Sequence, residues 1–276
     1  TSSSMFPASA RAVSTHRTEA RVQAALLGPG GMASDDSAPT PEEAFRAALG
    51  ARQDLGREPP EVAANIGVQM GHMGLDVPTV SVVRRLRDIV VTLQPRKIAE
   101  IGAAIGHTTS WLLDAWSRED VNAPEYVDVM EQGNRFAVIL DRIIKRYNME
   151  GVARVVVGDV EEHAPQTRAW RLAHLASQDR PPTLMDGLDL AVLRCGLEEL
   201  GDRATASLEL LRKGGVLLVL EPEVPSDNID DSTEEGAAII AAFNAWIAFV
   251  HHCSEAHDLA FVPVHGGTIV AVRTLS

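Results

Sequence analysis

Short apolar segments alternate with helical patterns over most of the chain after Pro78, and this alternation constrains the fold more than any other feature. Between the apolar segments, hydrophobic residues recur at the three- and four-residue spacing of amphipathic helices. Near-continuous apolar strands must be covered on both faces, so the pattern predicts an α/β fold with a mostly parallel sheet between helices. Five strands are predicted at residues 97–101, 126–130, 155–157, 188–193 and 216–220.

The end of the chain has a different pattern. Two further apolar segments, residues 260–264 and 268–272, are separated only by His265-Gly266-Gly267. A short connection that contains glycine is typical of a β-hairpin. We therefore predict that the last two strands form an antiparallel pair.

The N-terminal part divides into two predicted segments. Residues 1–40 are rich in Ser, Ala, Pro and Gly, which predicts a disordered or loosely ordered extension. Its basic, Ser-rich and acid-poor composition also fits an organellar transit peptide, a cloning remnant or an ordinary tail. Residues 41–77 are interpreted as a helical lead-in that becomes loop-rich after Pro59 because of its glycines. The main domain is predicted at residues 78–276.

Composition limits the partners that we expect. A net charge of −13 argues against nucleic acid as the main partner, because binding phosphates requires clustered Lys and Arg. Two cysteines give no sign of an oxidising compartment. The most apolar stretch, residues 237–250, is interrupted by Asn244, so no membrane partner is expected. We predict a soluble cytoplasmic protein, or an organelle-matrix protein if the extension is transit-derived, that forms a homodimer or is a subunit of a larger assembly.

The turn after the first predicted strand is the expected ligand site, because open parallel sheets bind ligands at the carboxyl ends of their strands. The sequence there is Glu100-Ile101-Gly102-Ala103-Ala104-Ile105-Gly106-His107-Thr108-Thr109. Gly102 would allow close backbone approach, and Glu100 could accept hydrogen bonds from a cationic amino group. A dinucleotide fingerprint would need glycine in place of Ala104 and His107, so a nicotinamide cofactor is disfavoured.

Acids follow the next two strands. Glu131 could accept hydrogen bonds from both ribose hydroxyls of an adenosine, although Asp128 competes as the acid of that strand. Asp159, after Gly158, could accept a hydrogen bond from an adenine amino group. Either acid alone could be an ordinary solvated loop residue. Together with the glycine turn, they favour a nucleoside that bears an amino acid.

Residues 78–273 resemble class I S-adenosylmethionine (SAM)-dependent O-methyltransferases of the catechol and caffeoyl-coenzyme A type. The resemblance implies a Rossmann-like fold, a seven-stranded sheet with an antiparallel terminal hairpin, and SAM as cofactor. The matching stretches are the Glu100–Thr109 turn, Gly158-Asp159, Leu188-Asp189-Leu190, Leu210–Gly215 and Val262–Thr268. By this resemblance, the cofactor-binding residues are Glu100, Gly102, Ala103, Gly106, Thr108, Thr109, Glu131 and Asp159.

The same resemblance shows departures on the side of the methyl acceptor. Arg194 stands where the metal-using members have a metal-binding Asp, Leu197 matches their lysine, and Glu221-Pro222 matches their Asp-Asn pair. A cation would be repelled by Arg194, so we predict no metal ligands. The expected function is a metal-independent methyltransferase with an unknown acceptor. The alternative is a catalytically inactive, methyltransferase-like structural or interaction subunit.

Two residues are the candidate catalytic groups. Arg194 could orient an anionic acceptor or lower the pKa of a nearby hydroxyl, or it could be a structural arginine paired with Glu221. His107 is the candidate base, with His163 and His265 as competitors, because imidazole titrates near neutrality. The cluster His251, His252, Cys253 and His257 could bind a metal, but histidines at the end of a helix are also favoured by its dipole.

Overall fold

The structure of the protein is a computed structural model that describes residues 39–174, 181, 183–225 and 229–275. It separates Thr1–Thr40 from a compact unit, Pro41–Ser276. Apart from its last two residues, the predicted extension at residues 1–40 lies outside the described residues. All elements below belong to the second unit.

The described residues form eight helices and seven strands. The helices are α1 (Pro41–Gly50), α2 (Glu61–His72), α3 (Val80–Leu93), α4 (His107–Trp116), α5 (Asn134–Arg146), α6 (Val160–Ala173), α7 (Leu197–Glu209) and α8 (Glu234–Ala256). The strands are β1 (Lys97–Ile101), β2 (Tyr126–Glu131), β3 (Ala153–Val157), β4 (Leu188–Leu193), β5 (Leu211–Leu220), β6 (Asp258–Val264) and β7 (Gly267–Arg273).

The seven strands form one sheet in the order β3-β2-β1-β4-β5-β7-β6. Strands β1 to β5 are parallel, and β7 runs antiparallel to both β5 and β6. The predicted fold class and the predicted antiparallel hairpin are confirmed. The strand order reverses between β1 and β4, so the crevice of the sheet lies at the carboxyl ends of these two strands.

Alternate residues of the parallel strands pack into two separate layers of core. Ile98, Val127 and Leu190 face one layer with α3, α4 and α5, and Ala99 and Ala191 face the other with α6, α7 and α8. This two-sided burial explains why the strands read as near-continuous apolar runs.

The lead-in differs from the prediction. Gly67 lies inside helix α2, in a stretch that we predicted to be loop-rich. The helix forms because Ala63, Ile66 and Met70 are spaced to bury one face. Gly67 faces His107, and a Cβ there would lie 3.4 Å from Nε2 of His107, in ordinary van der Waals contact. Glycine was therefore wrongly interpreted here as a sign of a loop.

Helix α8 also corrects an expectation. Its 23 residues, with a mean hydropathy of 1.4 over the most apolar window, make it long and apolar enough to cross a membrane by length and composition. The interpretation of Asn244 as an interruption of this apolar stretch was wrong, because a single Asn does not offset so many Ala and Ile residues. Trp246, Phe249 and Cys253 of α8 are buried in the core, and 22% of its apolar window is buried.

Candidate functional site

A cavity of about 280 Å³ lies at the carboxyl ends of β1 to β4. Its walls bring together Gly102 after β1, Glu131 at the end of β2, Asp159 after β3 and Arg194 after β4. These four residues come from four different parts of the sequence. The parallel sheet places them together because its strand ends share one edge.

The Gly102 turn is built by backbone contacts. The N–H groups of Gly102 and Ala103 both donate to the carbonyl oxygen of Met130, at 3.1 Å each. Gly102 has φ +79°, and a Cβ there would lie 1.7 Å from the carbonyl oxygen of Arg194. Only glycine can therefore occupy this position without displacing the end of β4.

The turn continues into α4 through two further residues with positive φ. Ala104, with φ +50°, donates its N–H to Oε2 of Glu131 at 2.7 Å. Gly106, with φ +90°, would place a Cβ 2.6 Å from Cδ1 of Ile143 in α5. The glycine spacing read in the sequence thus reflects two separate steric requirements, one against β4 and one against α5.

Glu131 holds the turn to the next loop. Besides the Ala104 N–H, its carboxylate accepts a hydrogen bond from Gly133 N–H at 3.3 Å. Asp128, the competing acid of β2, is fully buried and accepts hydrogen bonds from Nε of Arg154 and from Met185 N–H, at 2.8 and 2.7 Å. Of the two candidate acids, only Glu131 lies on the cavity wall.

Asp159 belongs to a charge cluster that the sequence analysis missed. Its Oδ1 pairs with Nη2 of Arg203 at 2.8 Å and also accepts a hydrogen bond from Gln132. Arg203, with a side chain only 8% exposed, also pairs with Glu161 at 3.3 Å and Glu199 at 2.9 Å. The Glu199–Arg203 spacing on α7 was a readable signal for an ion pair. The reach of Arg203 to the end of β3 depends on tertiary packing.

Glu100 lies beneath the turn and is not among the cavity-lining residues. Its buried carboxylate accepts a hydrogen bond from Oγ1 of Thr109 at 2.7 Å. Burial raises the pKa of Glu100 to about 7, although the Thr109 hydrogen bond and the charge of Arg194 act in the opposite direction. Glu100 and Thr109 are therefore hydrogen-bonded to each other. Their contacts with a cofactor stay predictions.

Two polar side chains at the start of α4 have no hydrogen-bond partner within the described part of the chain. They are Thr108, through Oγ1, and His107, through Nδ1, and both residues are buried. Burial, and then the charge of Arg194, lower the pKa of His107 to about 4. His107 does not line the cavity, and such a pKa makes it a weak base, so the geometry gives its predicted catalytic role no support.

The other histidines lie in different places. Nδ1 of His163 is buried without a partner among the described atoms. The His163 ring packs against Gly158, and a Cβ added to Gly158 would lie 2.5 Å from Nε2 of His163. His265 is exposed in the connection between β6 and β7. Among the residues that the structure describes, no three His, Cys, Asp or Glu side chains are grouped to hold a metal ion, and this includes the His251–His257 cluster.

Arg194 extends along the cavity wall with a side chain that is 15% exposed. Its Nη2 donates to the carbonyl oxygen of Asp76 at 3.2 Å and lies 3.6 Å from the carboxylate of that residue. Burial lowers the pKa of Arg194. The alternative pairing with Glu221 is wrong, because Glu221 instead hydrogen-bonds Thr268, from backbone N–H to carbonyl oxygen at 2.8 Å and through its side chain.

The strand order and the position of the cavity are those of the class I methyltransferase fold, and comparison with solved structures shows the same fold. An O-methyltransferase from Bacillus cereus, crystallised with S-adenosylhomocysteine (SAH), matches with a TM-score of 0.56 at 18% identity over 78% of this chain and 92% of its own. TomG from Streptomyces achromogenes, an O-methyltransferase of tomaymycin synthesis in complex with SAM, matches with a TM-score of 0.54 at 18% identity over 79% of this chain and 91% of its own.

A putative caffeoyl-CoA O-methyltransferase from Staphylococcus aureus has a TM-score of 0.55 at 11% identity, over 78% of this chain and 93% of its own. No protein-family model matches the sequence, and no curated protein matches it significantly. The likeness to these structures therefore establishes the fold.

Proposed function

We propose that this protein is a SAM-dependent methyltransferase that binds SAM in the cavity at the ends of β1 to β4. The observation that carries the proposal is the meeting of Gly102, Glu131 and Asp159 on one cavity wall, in a fold whose neighbours bind SAM or SAH. When bound, SAM supplies a methyl group made electrophilic by its sulfonium.

Each residue has a defined part in holding the cofactor. Glu131 accepts hydrogen bonds from the ribose hydroxyls, and the free lone pairs of its carboxylate remain available beside the Ala104 and Gly133 N–H groups. Asp159 accepts from the adenine amino group. The Gly102 turn lets the backbone approach the ligand. Thr108, whose Oγ1 has no partner among the described atoms, follows this turn at the start of α4. These contacts orient the methyl group, and such positioning lowers the barrier to its transfer.

The proposed enzyme needs no divalent cation. Arg194 occupies the β4 end where a carboxylate ligand would be needed, and magnesium prefers oxygen ligands. Activity should therefore survive exhaustive chelation with EDTA, and catechol should be methylated poorly or not at all even with magnesium added. Loss of activity on chelation with recovery on adding magnesium, or rapid catechol methylation, would contradict this part of the proposal.

Thermal unfolding with SAH tests cofactor binding. A ligand at 100 times its dissociation constant stabilises the folded state by about 2.7 kcal/mol, so SAH should raise Tm by several degrees. Asp159→Asn should reduce the shift, while Asp141→Asn, which removes an exposed ion pair with Lys145 on α5, should keep it. An unchanged Tm at millimolar SAH would contradict the proposal.

The departures from the family pattern on the side of the methyl acceptor favour a second candidate function. This is a catalytically inactive, methyltransferase-like subunit of a larger assembly. The specific observation is that Arg194 is tied to Asp76 beside the cavity and the β5 end carries Glu221-Pro222. If SAH binds but no methyl group is transferred to any acceptor class, this candidate replaces the first.

A further inference from the structure

We propose that the methyl acceptor is a carboxylic acid, bound as its carboxylate by Arg194, and that the product is a methyl ester. The inference rests on the proposed function and deepens it. It follows from two features of the cavity wall: a cation with unused hydrogen-bond donors, and the lack of a group that could remove a proton from a hydroxyl.

Arg194 has the geometry of an anion anchor. Only its Nη2 has a hydrogen-bond partner within the described ranges, the backbone carbonyl of Asp76. Nε and Nη1 remain free to donate, and a guanidinium binds a carboxylate through two such donors. The side chain is fixed by burial and by the Asp76 contact, so the donors are held in place before a ligand arrives.

The charge of Arg194 is also the less compensated of the two positive charges on the wall. Arg203 is surrounded by three carboxylates, those of Asp159, Glu161 and Glu199, at 2.8 to 3.3 Å. Arg194 has Asp76 at 3.6 Å, and the Asp76 side chain is 84% exposed and therefore well screened. Its other acidic neighbour is Glu100, whose pKa of about 7 leaves that buried carboxyl partly protonated near neutral pH. An anionic ligand is therefore attracted to Arg194 rather than to Arg203.

No residue described on the cavity wall is suited to act as a general base. The wall contains no His, Lys or Tyr. Its carboxylates Asp159 and Glu199 pair with Arg203, and Glu131 accepts backbone N–H groups. Burial raises the pKa of Cys195 to about 12. A phenol or an alcohol would enter with its proton and find no acceptor for it.

A carboxylic acid avoids this difficulty because it is already ionised near neutral pH. One carboxylate oxygen forms a bond to the methyl carbon while the bond between that carbon and sulfur breaks, and the bonding pair stays on sulfur. The negative charge of the acid and the positive charge of the sulfonium disappear together. The products are a neutral ester and a neutral thioether group, and no proton is released, so no base is required.

The first test measures binding without turnover. Protein saturated with SAH is titrated calorimetrically with benzoate, phenylacetate and hexanoate, and separately with the alcohols of the same carbon skeletons. At least one acid should bind, and its alcohol should bind at least tenfold more weakly. Arg194→Met should weaken acid binding at least tenfold, Arg194→Lys less so, and the surface variant Arg118→Met should leave it unchanged. Equal affinity of wild type and Arg194→Met for an acid would overturn the inference.

The second test identifies the product with 4-hydroxybenzoate and the same acids and alcohols, using SAM labelled in its methyl group. Label should appear as a methyl ester, which alkali converts to volatile methanol, and Arg194→Met should lose it. Label in an alkali-stable ether, or no label in any acid while SAH still binds, would overturn the inference and leave the cofactor site standing. Failure of SAH itself to bind would instead refute the proposed function.

Discussion

The two halves of the cavity are built in different ways. At the ends of β1 to β3, glycine geometry and backbone N–H groups hold the turn, Glu131 and Asp159 in place. At the end of β4, the feature is a single side chain, that of Arg194, which contacts Asp76. The first half is part of the sheet's own structure, whereas the second could change by substitution without disturbing the strands. Cofactor binding and acceptor choice should therefore respond differently to mutation.

Gly102→Val should cause the largest loss of stability, because Gly102 packs against the Arg194 backbone, where the two halves of the cavity meet. The left-handed backbone and the clash with the Arg194 carbonyl together cost up to about 5 kcal/mol of folding free energy. Urea denaturation measures the loss. Gly151→Ala is the matched control, since a Cβ there meets nothing within 4 Å. Equal stability of Gly102→Val and wild type would contradict the described turn.

The two acids of β2 should separate stability from binding. Asp128→Asn breaks a buried ion pair with Arg154 and should cost about 3 to 4 kcal/mol of stability while changing SAH affinity little. Glu131→Gln should cost less than about 1 kcal/mol of stability but weaken SAH about 10- to 100-fold. Denaturation and calorimetry on both variants check this. If Asp128→Asn weakened SAH binding and Glu131→Gln did not, Asp128 rather than Glu131 would be the ligand-binding acid.

Burial of Glu100 predicts a pH effect of up to about 3 kcal/mol. The pKa of Glu100 is about 7 in the folded state, against an unperturbed value of 4.5 that applies to the unfolded chain. Each unit of difference in pKa is worth about 1.4 kcal/mol. The folded state binds more protons between these values, so the stability that Glu100 contributes is present below pH 4.5 and is lost as the pH rises through 7. The stability of wild type relative to Glu100→Gln should fall over this window.

His107 should change the stability with pH in the direction opposite to Glu100. Its folded pKa of about 4 lies below the ordinary 6.5, so its contribution is present above pH 6.5 and is lost as the pH falls through 4. Denaturation of wild type, Glu100→Gln and His107→Gln across pH 4 to 7.5 separates the two slopes. Slopes of the same sign would contradict the burial of one of them.

Arg203→Met should have the smallest of these effects. Removing the cation leaves three carboxylates facing one another and frees Asp159 from its anchor, which should cost about 2 kcal/mol of stability and weaken SAH about tenfold. Arg203→Lys, which keeps the charge, should recover part of the affinity. An unchanged SAH affinity in Arg203→Met would show that the cluster is purely structural.

Much of the fold could be predicted from the sequence because local patterns determine it. The bounds of β1 and β4 agree with the predicted apolar segments, since each strand is buried along its length. Helix α2 was missed because its glycines were read by propensity alone, whereas Ala63, Ile66 and Met70 bury one face of the helix. The length and apolar character of α8 were underestimated because one Asn was given too much weight.

The candidate site was only partly readable. Gly102, Glu131 and Asp159 were found because strand ends of a parallel sheet converge, which is a general rule. Arg203 and Gln132 could not be found in this way, because their contacts depend on how α7 and the β2 end pack. The partner of Arg194 is Asp76, 118 positions away in the sequence, and only tertiary structure brings the two together.

Calorimetric titration of the folded wild-type protein with SAH tests the central claim most directly. We predict binding in the micromolar range with one site per chain, and binding at least tenfold weaker in Glu131→Gln, whose fold should remain intact. No detectable heat at millimolar SAH from wild-type protein that unfolds cooperatively would contradict the claim that this cavity is a cofactor site.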